Sequence, residues 1–424
     1  MLQLAYIREN KEDVLTRLAI KNVKNAEITI NTILQLDEKR KLAQQQADSI
    51  KAEANALAKQ IGELMKGGKK EEAEVLKLKT VSLKASEKEI DEAHSAIEKE
   101  IQSILVTLPN TPHLSVPLGK MAEDNITVSQ HGTIPTLHAA AQPHWELTTK
   151  YDLIDFELGV KLTGAGFPVY KGKGARLQRA LINFFLDKAT AHGYNEVQPP
   201  ILVNSDSAYA TGQLPDKEGQ MYHCQVDDLY LIPTAEVPIT NIYRDVMLKE
   251  SDLPIKNCGY TPCFRREAGS YGKDVRGLNR LHQFDKVEIV QITQPEKSYE
   301  TLEAMLNYVC GLLDDLELPY RILKLCGGDM SFGSALTYDL EVWSAAQQRW
   351  LEVSSVSNFE TFQTNRLKCR YKNADGKTQL THSLNGSALA LPRIVAALLE
   401  NNQTETGITI PKALQSYTGF SSIN

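Results

Sequence analysis

Five cations lie within sixteen residues of one another: Arg265, Arg266, Lys273, Arg276 and Arg280, set around glycines at 269, 272 and 277. Guanidinium groups bind phosphoryl oxygens in bidentate fashion, so fixed arginines beside a cationic glycine-containing loop suit a polyphosphate. Charge alone equally suits a solvated surface hairpin. The next segment separates the two readings. In Phe284-Asp285-Lys286-Val287-Glu288-Ile289-Val290, strand alternation puts Phe284, Lys286, Glu288 and Val290 on one face and Val287 and Ile289 on the other. If the two aliphatics enter a core, an aromatic able to stack on a base shares a face with a carboxylate able to hold an ammonium. A second acidic segment, Trp350-Leu351-Glu352-Val353-Ser354-Ser355, offers oxygen ligands suited to a hard cation such as Mg²⁺. Positions 352 and 355 face opposite sides of an ideal strand, so their joint use requires a bulge or a strand end.

Other chemistries lack their residues. There is no G-x-x-x-x-G-K-[ST] phosphate loop, and the glycine-rich stretch 159–174 carries no dinucleotide fingerprint. The six cysteines (224, 258, 263, 310, 326, 369) include one C-x4-C pair, Cys258 and Cys263, and the nine histidines form no metal-binding spacing. Reduced thiols and no zinc are expected.

The elements that must carry these residues fall into two regions. Before residue 110, Ala43, Ala47, Ile50, Ala54, Leu57, Ile61 and Leu64 alternate spacings of four and three. Leu76, Leu83, Ile90, Ile97 and Ile104 then recur every seven. That is the pattern of a coiled coil. Between the stripes, Gly67-Gly68 stops a helix and permits reversal, so residues 28–105 read as an antiparallel hairpin whose two seams cover each other. A dimerisation coiled coil between chains is the alternative. After the linker around Pro109, Pro112 and Pro117, a helix is expected over 174–192. Short strands are expected near 229–232, 286–292, 338–342 and 350–353, with a closing helix over 392–401. Strands in runs point to an α+β domain with a mostly antiparallel sheet flanked by helices.

Several segments together resemble class II aminoacyl-tRNA synthetases. Gly193-Tyr194-Asn195-Glu196-Val197-Gln198-Pro199-Pro200 is similar to their first motif, the stretch from Phe264 to Glu288 to their second, and Leu384-Asn385-Gly386-Ser387-Ala388-Leu389-Ala390-Leu391-Pro392-Arg393 to their third. More narrowly, Thr211-Gly212-Gln213-Leu214-Pro215, Pro233-Thr234-Ala235-Glu236-Val237-Pro238 and His282-Gln283-Phe284-Asp285-Lys286-Val287-Glu288 resemble seryl-tRNA synthetases of the common bacterial type. So do Ile7-Arg8-Glu9-Asn10 and Leu108-Pro109-Asn110. The third motif departs from many relatives, which have glycine at the positions of Ala388 and Pro392. Proline is compatible with a first helical turn, so Arg393 is expected to keep its place.

The resemblance implies an N-terminal tRNA-binding domain over 1–110, with the hairpin as its arm, and a catalytic domain over 111–424. It implies ATP bound by Arg265, Arg266, Glu267, Arg280, Leu281, Phe284, Glu352, Val353, Ser354, Ser355 and Arg393. Arg265 and Arg393 would be the catalytic arginines, and Mg²⁺ would sit on Glu352 and Ser355. Serine would be bound by Thr234, Ala235, Glu236, Arg265, Glu288, Asn385 and Ser387. It further implies a homodimer that charges tRNA(Ser), with tRNA(Sec) a further candidate, in the cytoplasm. A ligase loading a carrier protein with a small amino acid, and a non-enzymatic RNA-binding coiled-coil protein, are the rivals.

Composition bounds these readings without choosing among them. The 424 residues carry 47 Lys plus Arg against 53 Asp plus Glu, a net charge of −6, which excludes a uniformly basic nucleic-acid binder. Residues 1–110 hold 18 basic and 18 acidic side chains, so the whole excess falls on the remainder. Arg8 and Glu9 interrupt the opening segment, so no signal peptide is expected; no apolar run approaches the ~18 residues of a membrane span.

Overall fold

The computed structural model describes residues 1–216, 218–267 and 276–424. The chain divides into two compact units, Leu2–Ala19 with Val23–Pro109, and Ile20–Asn22 with Met1 and Asn110–Asn424.

In the first unit, two short helices, α1 (Leu4–Glu9) and α2 (Lys11–Ile20), precede α3 (Ala26–Lys66) and α4 (Lys70–Leu105). Gly68 makes the reversal, at φ +78°, a left-handed conformation that side chains disfavour. The two long helices pack against each other as an antiparallel pair, so the seams meet within one chain. Lys51 reaches Glu87 and Asp91 across the pair at 3.8 and 3.7 Å, and Lys79 reaches Glu53 at 2.8 Å. The heptad residues Leu76, Leu83, Ile90 and Ile97 are only half-buried, because each helix has a single neighbour over most of its length.

One charged residue is wholly inside this unit. Asp37 on α3 receives Arg8 Nη1 at 2.9 Å, Arg40 Nη2 at 2.8 Å and Lys41 Nζ at 3.3 Å. Burial alone would raise its carboxyl; the hydrogen bonds from Arg40, Arg8 and Lys41 outweigh that and hold it below the usual value. Arg40 and Lys41 are thus paired with an internal carboxylate.

The second unit is built on an eight-stranded sheet. Its strands are β1 (Ile126–His131), β2 (Asn195–Glu196), β3 (Ile255–Phe264), β4 (Gln283–Thr293), β5 (Tyr320–Lys324), β6 (Leu336–Ser344), β7 (Arg349–Asn358) and β8 (His382–Ala390). They lie in the order β1-β5-β6-β7-β8-β4-β3-β2. All pairs are antiparallel except β2 with β3. Val287, Ile289, Leu340, Val342, Leu351, Val353 and Leu384 turn to one side of it. There they meet Leu177, Leu181, Phe184 and Phe185 of the helix Gly172–Ala191, the apolar stripe of Ser298–Asp315, and Ile394, Val395 and Leu398 of Leu391–Asn401. The helix 172–191 forms because those four residues recur at helical spacing on one face. β3 had no expectation from sequence: Gly259 and Pro262 interrupt its alternation, and its strand form comes from pairing along β4 from Ile255↔Ile292 to Phe264↔Gln283. The two aliphatics of β4 enter the core as the alternation requires, and Glu288 lies on the opposite face.

The depressed carboxyl of Asp37 gives stability that is present above about pH 4 and is lost as pH falls through its folded value. Asp37→Asn should cost the N-terminal unit on the order of 2 kcal/mol at neutral pH, since it leaves three cations facing a neutral group. It should also flatten the acid limb of stability, both read by urea melts followed by circular dichroism between pH 3 and 7.

Candidate active site

A cleft of about 300 Å³ opens on the sheet where β4, β7 and β8 meet the segment 278–281. Of the residues singled out from sequence, Arg265, Glu267, Arg280, Leu281, Phe284, Glu352, Val353, Ser354, Ser387 and Arg393 line it. Pairing of Cys263 with Phe284 places Arg265, the residue after β3, beside the aromatic ring. Its guanidinium lies 5.2 Å from the Phe284 centroid and its Nε donates to the Pro233 carbonyl at 3.3 Å. Arg393 enters as the third residue of the helix Leu391–Asn401, with Pro392 in the first turn. Its Nη1 donates to the Glu352 carbonyl at 2.7 Å and its Nε to the Asn279 carbonyl at 3.0 Å. Two cations held by backbone oxygens thus line one slot with an aromatic floor, which suits a flat ring carrying anionic groups.

Arg280 and Glu267 form an ion pair with each other at the mouth of this cleft. Arg266 is exposed and is not among the lining residues; its backbone N–H donates to the Gln220 carbonyl at 2.9 Å. Lys273 lies outside the described residues.

The bulge required between 352 and 355 is present. In the β6–β7 ladder Leu340 faces Ser354 but Glu341 faces Glu352, leaving Val353 as an extra residue. Val353 lines the cleft, while Ser355 Oγ donates to Asp339 on β6. Burial, and after it the Glu352 carboxylate, pushes the Asp339 carboxyl well above the ordinary range. Asp339 drew no notice in the sequence, because only the cross-strand register brings it to Ser355.

Deeper on the same face lies a second polar group of residues. Lys286 Nζ bonds Glu288 Oε2 at 2.6 Å and Thr234 Oγ1 at 2.7 Å, and Thr234 Oγ1 is 3.3 Å from Glu288 Oε2. Lys286 and Glu288 are 5% and 2% exposed, close to full burial for charged side chains. Glu236 opens the short helix Glu236–Asn241 and accepts from Gln363 Nε2 at 2.5 Å. Asn385 on β8 lies close to Glu236, and its side-chain nitrogen is buried without a hydrogen-bond partner. Ala235 is fully buried beneath them, packed with Ile239 and Val290. Desolvation first, then the nearby Glu288 carboxylate, lift the Glu236 carboxyl to about 7; Gln363, Lys286 and Asn385 oppose that rise. Ser387 and Lys286 belong to the outer cleft as well, so the two chambers adjoin. Lys286 shares the face that alternation predicts for Glu288, whereas Gln363 carries no local signal in the sequence.

The fold and these motifs define a class II synthetase core. Residues 222–402 match the tRNA synthetase class II core domain (G, H, P, S and T), and residues 1–112 match the seryl-tRNA synthetase N-terminal domain. A serine–tRNA ligase of Salinibacter ruber is 51% identical, with 100% of this chain and 99% of the relative covered. Among solved structures, a seryl-tRNA synthetase from Pyrococcus horikoshii complexed with ATP superposes with a TM-score of 0.93 at 33% identity, over 100% of this chain and 99% of that one. A cytoplasmic serine–tRNA ligase from Naegleria fowleri in complex with AMP gives 0.89 at 26% identity, again over 100% and 99%. The chain belongs to the seryl-tRNA synthetases.

The raised carboxyl of Glu236 makes a signed prediction. Below about pH 4.5 folded and unfolded chains both hold the proton; between there and about 7 only the folded one does, so stability falls as pH rises across that window. Glu236→Gln mimics the protonated form. Its melting temperature should match wild type near pH 5 and exceed it by a growing margin toward pH 7.5, in step with a free-energy difference on the order of 3 kcal/mol. A margin independent of pH would mean that the carboxyl is ionised throughout.

Proposed function

We propose that this protein activates L-serine with ATP to seryl-adenylate and transfers the seryl group to the 3′-hydroxyl of the terminal adenosine of tRNA(Ser). The observation that carries this reading is the adjoining of two chambers on one sheet face. One is an aromatic slot between Arg265 and Arg393, the other a small buried pocket lined by Thr234, Glu236, Glu288 and Asn385. ATP would lie with its adenine against Phe284 under Arg393. Serine would lie inside, its ammonium toward Glu288 and its hydroxyl among Thr234, Asn385 and Ser387. Rejection of analogues lacking the hydroxyl follows from the buried polar partners they would strand.

In the first step a serine carboxylate oxygen attacks the α-phosphorus and the bond to the outer phosphates breaks, releasing pyrophosphate. In the second the ribose hydroxyl attacks the seryl carbonyl and AMP leaves. No side-chain nucleophile takes part. Arg265, tethered between Phe284 and the Pro233 carbonyl, stands where negative charge grows on the α-phosphate, so catalysis rests on placement and electrostatics. Arg280 would turn from Glu267 to the outer phosphates, freeing Glu267 for the adenine edge. Glu352 and Ser355, with Asp339 beside them, present the hard oxygen donors that Mg²⁺ takes, and would hold it. When bound, the ion offsets charge on the phosphates.

A homodimer through the first motif is part of this reading. A groove of about 580 Å³ beside the helix Gly172–Ala191, lined in part by Ile182, Leu186, Val197 and Tyr260, supports it. The hairpin of residues 28–105 would grip the tRNA by shape and backbone, as A-form RNA favours, and a cytoplasmic location goes with such a substrate. The matched N-terminal domain favours tRNA over a carrier protein, and the complete inner pocket favours an enzyme over a scaffold.

Amino-acid-dependent ATP–pyrophosphate exchange across the twenty amino acids should peak with serine; no serine excess would overturn the proposal. Replacing 28–105 with a short linker should leave that exchange within about twofold while charging of tRNA(Ser) falls at least ~100-fold, a loss of about 2.7 kcal/mol in the charging step. Retained charging would remove the arm from its role.

A further inference from the structure

Behind the nucleotide cleft a buried histidine holds the backbone that carries part of its lining. His144, the first residue of the helix His144–Lys150, is fully buried. Its Nδ1 lies 2.7 Å from Glu400 Oε1, and its backbone N–H donates to the same oxygen at 3.0 Å. Glu400 is equally buried, and is also bonded by the Ser344 hydroxyl and by Gln347 Nε2 at 3.1 Å. The His144 ring and backbone N–H, the Ser344 hydroxyl and Gln347 all direct hydrogen bonds to this carboxylate, which takes the Nδ1 proton. On the other side of the ring, Nε2 accepts the backbone N–H of Leu278 at 2.9 Å. An acceptor there requires the neutral imidazole with its proton on Nδ1.

That contact fastens a segment with no regular structure. Gly277 stands against the Nε2 edge of the ring at φ +67°, and a Cβ on it would come within 2.3 Å of His144 Nε2. The next four residues, Leu278, Asn279, Arg280 and Leu281, all line the nucleotide cleft. The Asn279 carbonyl fixes Arg393 Nε, while its side chain donates to Gln347 Oε1 at 3.0 Å. Beside the histidine, Arg276 lies 4.7 Å over the Trp145 ring and pairs with Glu146 at 3.2 Å. A single imidazole therefore ties the Arg280 strip and, through Asn279, the Arg393 side chain to the closing helix that bears Glu400.

We propose that His144 is a positioning residue for ATP: its neutral Nε2, oriented by Glu400, holds the Leu278 amide so that Arg280 and Arg393 meet the nucleotide together. The inference rests on the nucleotide reading of the cleft. Loss of the acceptor at Nε2 releases the Leu278 amide and with it the cleft-lining strip 278–281, so the effect reports on nucleotide and leaves serine alone. The charged groups packed around the ring are the Glu400 anion and, on its own helix and the tethered strip, Glu146 and Arg276.

The test is pyrophosphate exchange by the full-length protein with KM measured separately for ATP and serine. His144→Ala should raise the ATP KM at least tenfold and leave the serine KM within twofold. His144→Gln, whose amide oxygen can accept the Leu278 N–H, should restore most of the ATP KM. Gly277→Ala attacks the same contact from the other side and should reproduce the ATP-specific defect even where the alanine at 144 fails to fold. Equal rises in both constants, an unchanged ATP KM, or a glutamine variant no better than alanine would overturn the proposal. Absence of serine-dependent exchange in the wild type would instead overturn the functional reading on which it stands.

Discussion

An ammonium and two carboxyl groups, Lys286, Glu288 and Glu236, buried together at the middle of a sheet, set the terms for the rest of this protein. Removing such groups from water costs several kcal/mol per ion, and mutual attraction repays this only when geometry and hydrogen bonding are nearly complete. Here the repayment is partial. Lys286 satisfies Glu288 and Thr234, Gln363 satisfies one oxygen of Glu236, and yet the Glu236 carboxyl is lifted to about 7 and an Asn385 nitrogen has no partner. Apolar residues of the same volume would stabilise the sheet better. A pocket that is polar and buried is what recognition of a small zwitterion with a hydroxyl demands.

Such a pocket needs walls that do not yield, and the sheet supplies them. β4 is flanked on both sides, by β3 along ten residue pairs and by β8, and its reverse face is packed with Val287 and Ile289. Two irregularities then re-aim side chains that a regular ladder would send elsewhere. One lies between Lys286 and Glu288 against β8, the other at Val353 on β7. The first inserts its extra residue on β8, between Ser387 and Ala390, where that strand passes Lys286 and Glu288; the second puts Glu352 at the cleft and Ser355 on Asp339. Bulges beside functional groups are a recurrent means of doing this without adding a loop.

The sequence made part of this visible because some of its signals are local. Alternation from 284 to 290 is enough to send Phe284 and Glu288 to one face, and the seven-residue recurrence from Leu76 to Ile104, broken by Gly67-Gly68, is enough for the hairpin. Asp339, Gln363 and His144 escaped because each acquires its meaning from a partner far along the chain: Asp339 from Ser355, Gln363 from Glu236, His144 from Leu278 and Glu400. The basic run Lys39-Arg40-Lys41 depends instead on a near neighbour. A buried acid one turn earlier looks in sequence like any solvated helix residue, and only the fold shows that Asp37 consumes two of the three cations.

Charge, too, acts locally. The whole −6 falls on residues 111–424, which carry the arginine-lined cleft, and two of the cleft's arginines already face a carboxylate: Arg280 with Glu267, and Arg393 with Glu352 at 3.7 Å. These pairs are partly exposed, so water compensates most of what is lost when they open. A phosphate that forms bidentate, charge-assisted bonds to the same guanidinium groups gains more than the carboxylates give up. A stray monovalent anion gains little, since it must displace a tethered carboxylate with no second point of attachment. Under the proposed function, the acidic partners act as placeholders. They keep the arginines oriented and hold the local field near neutral, and they give way to a ligand that can engage several cations at once. A net negative protein can therefore take a highly charged nucleotide: selectivity resides in how many pairs the ligand replaces together.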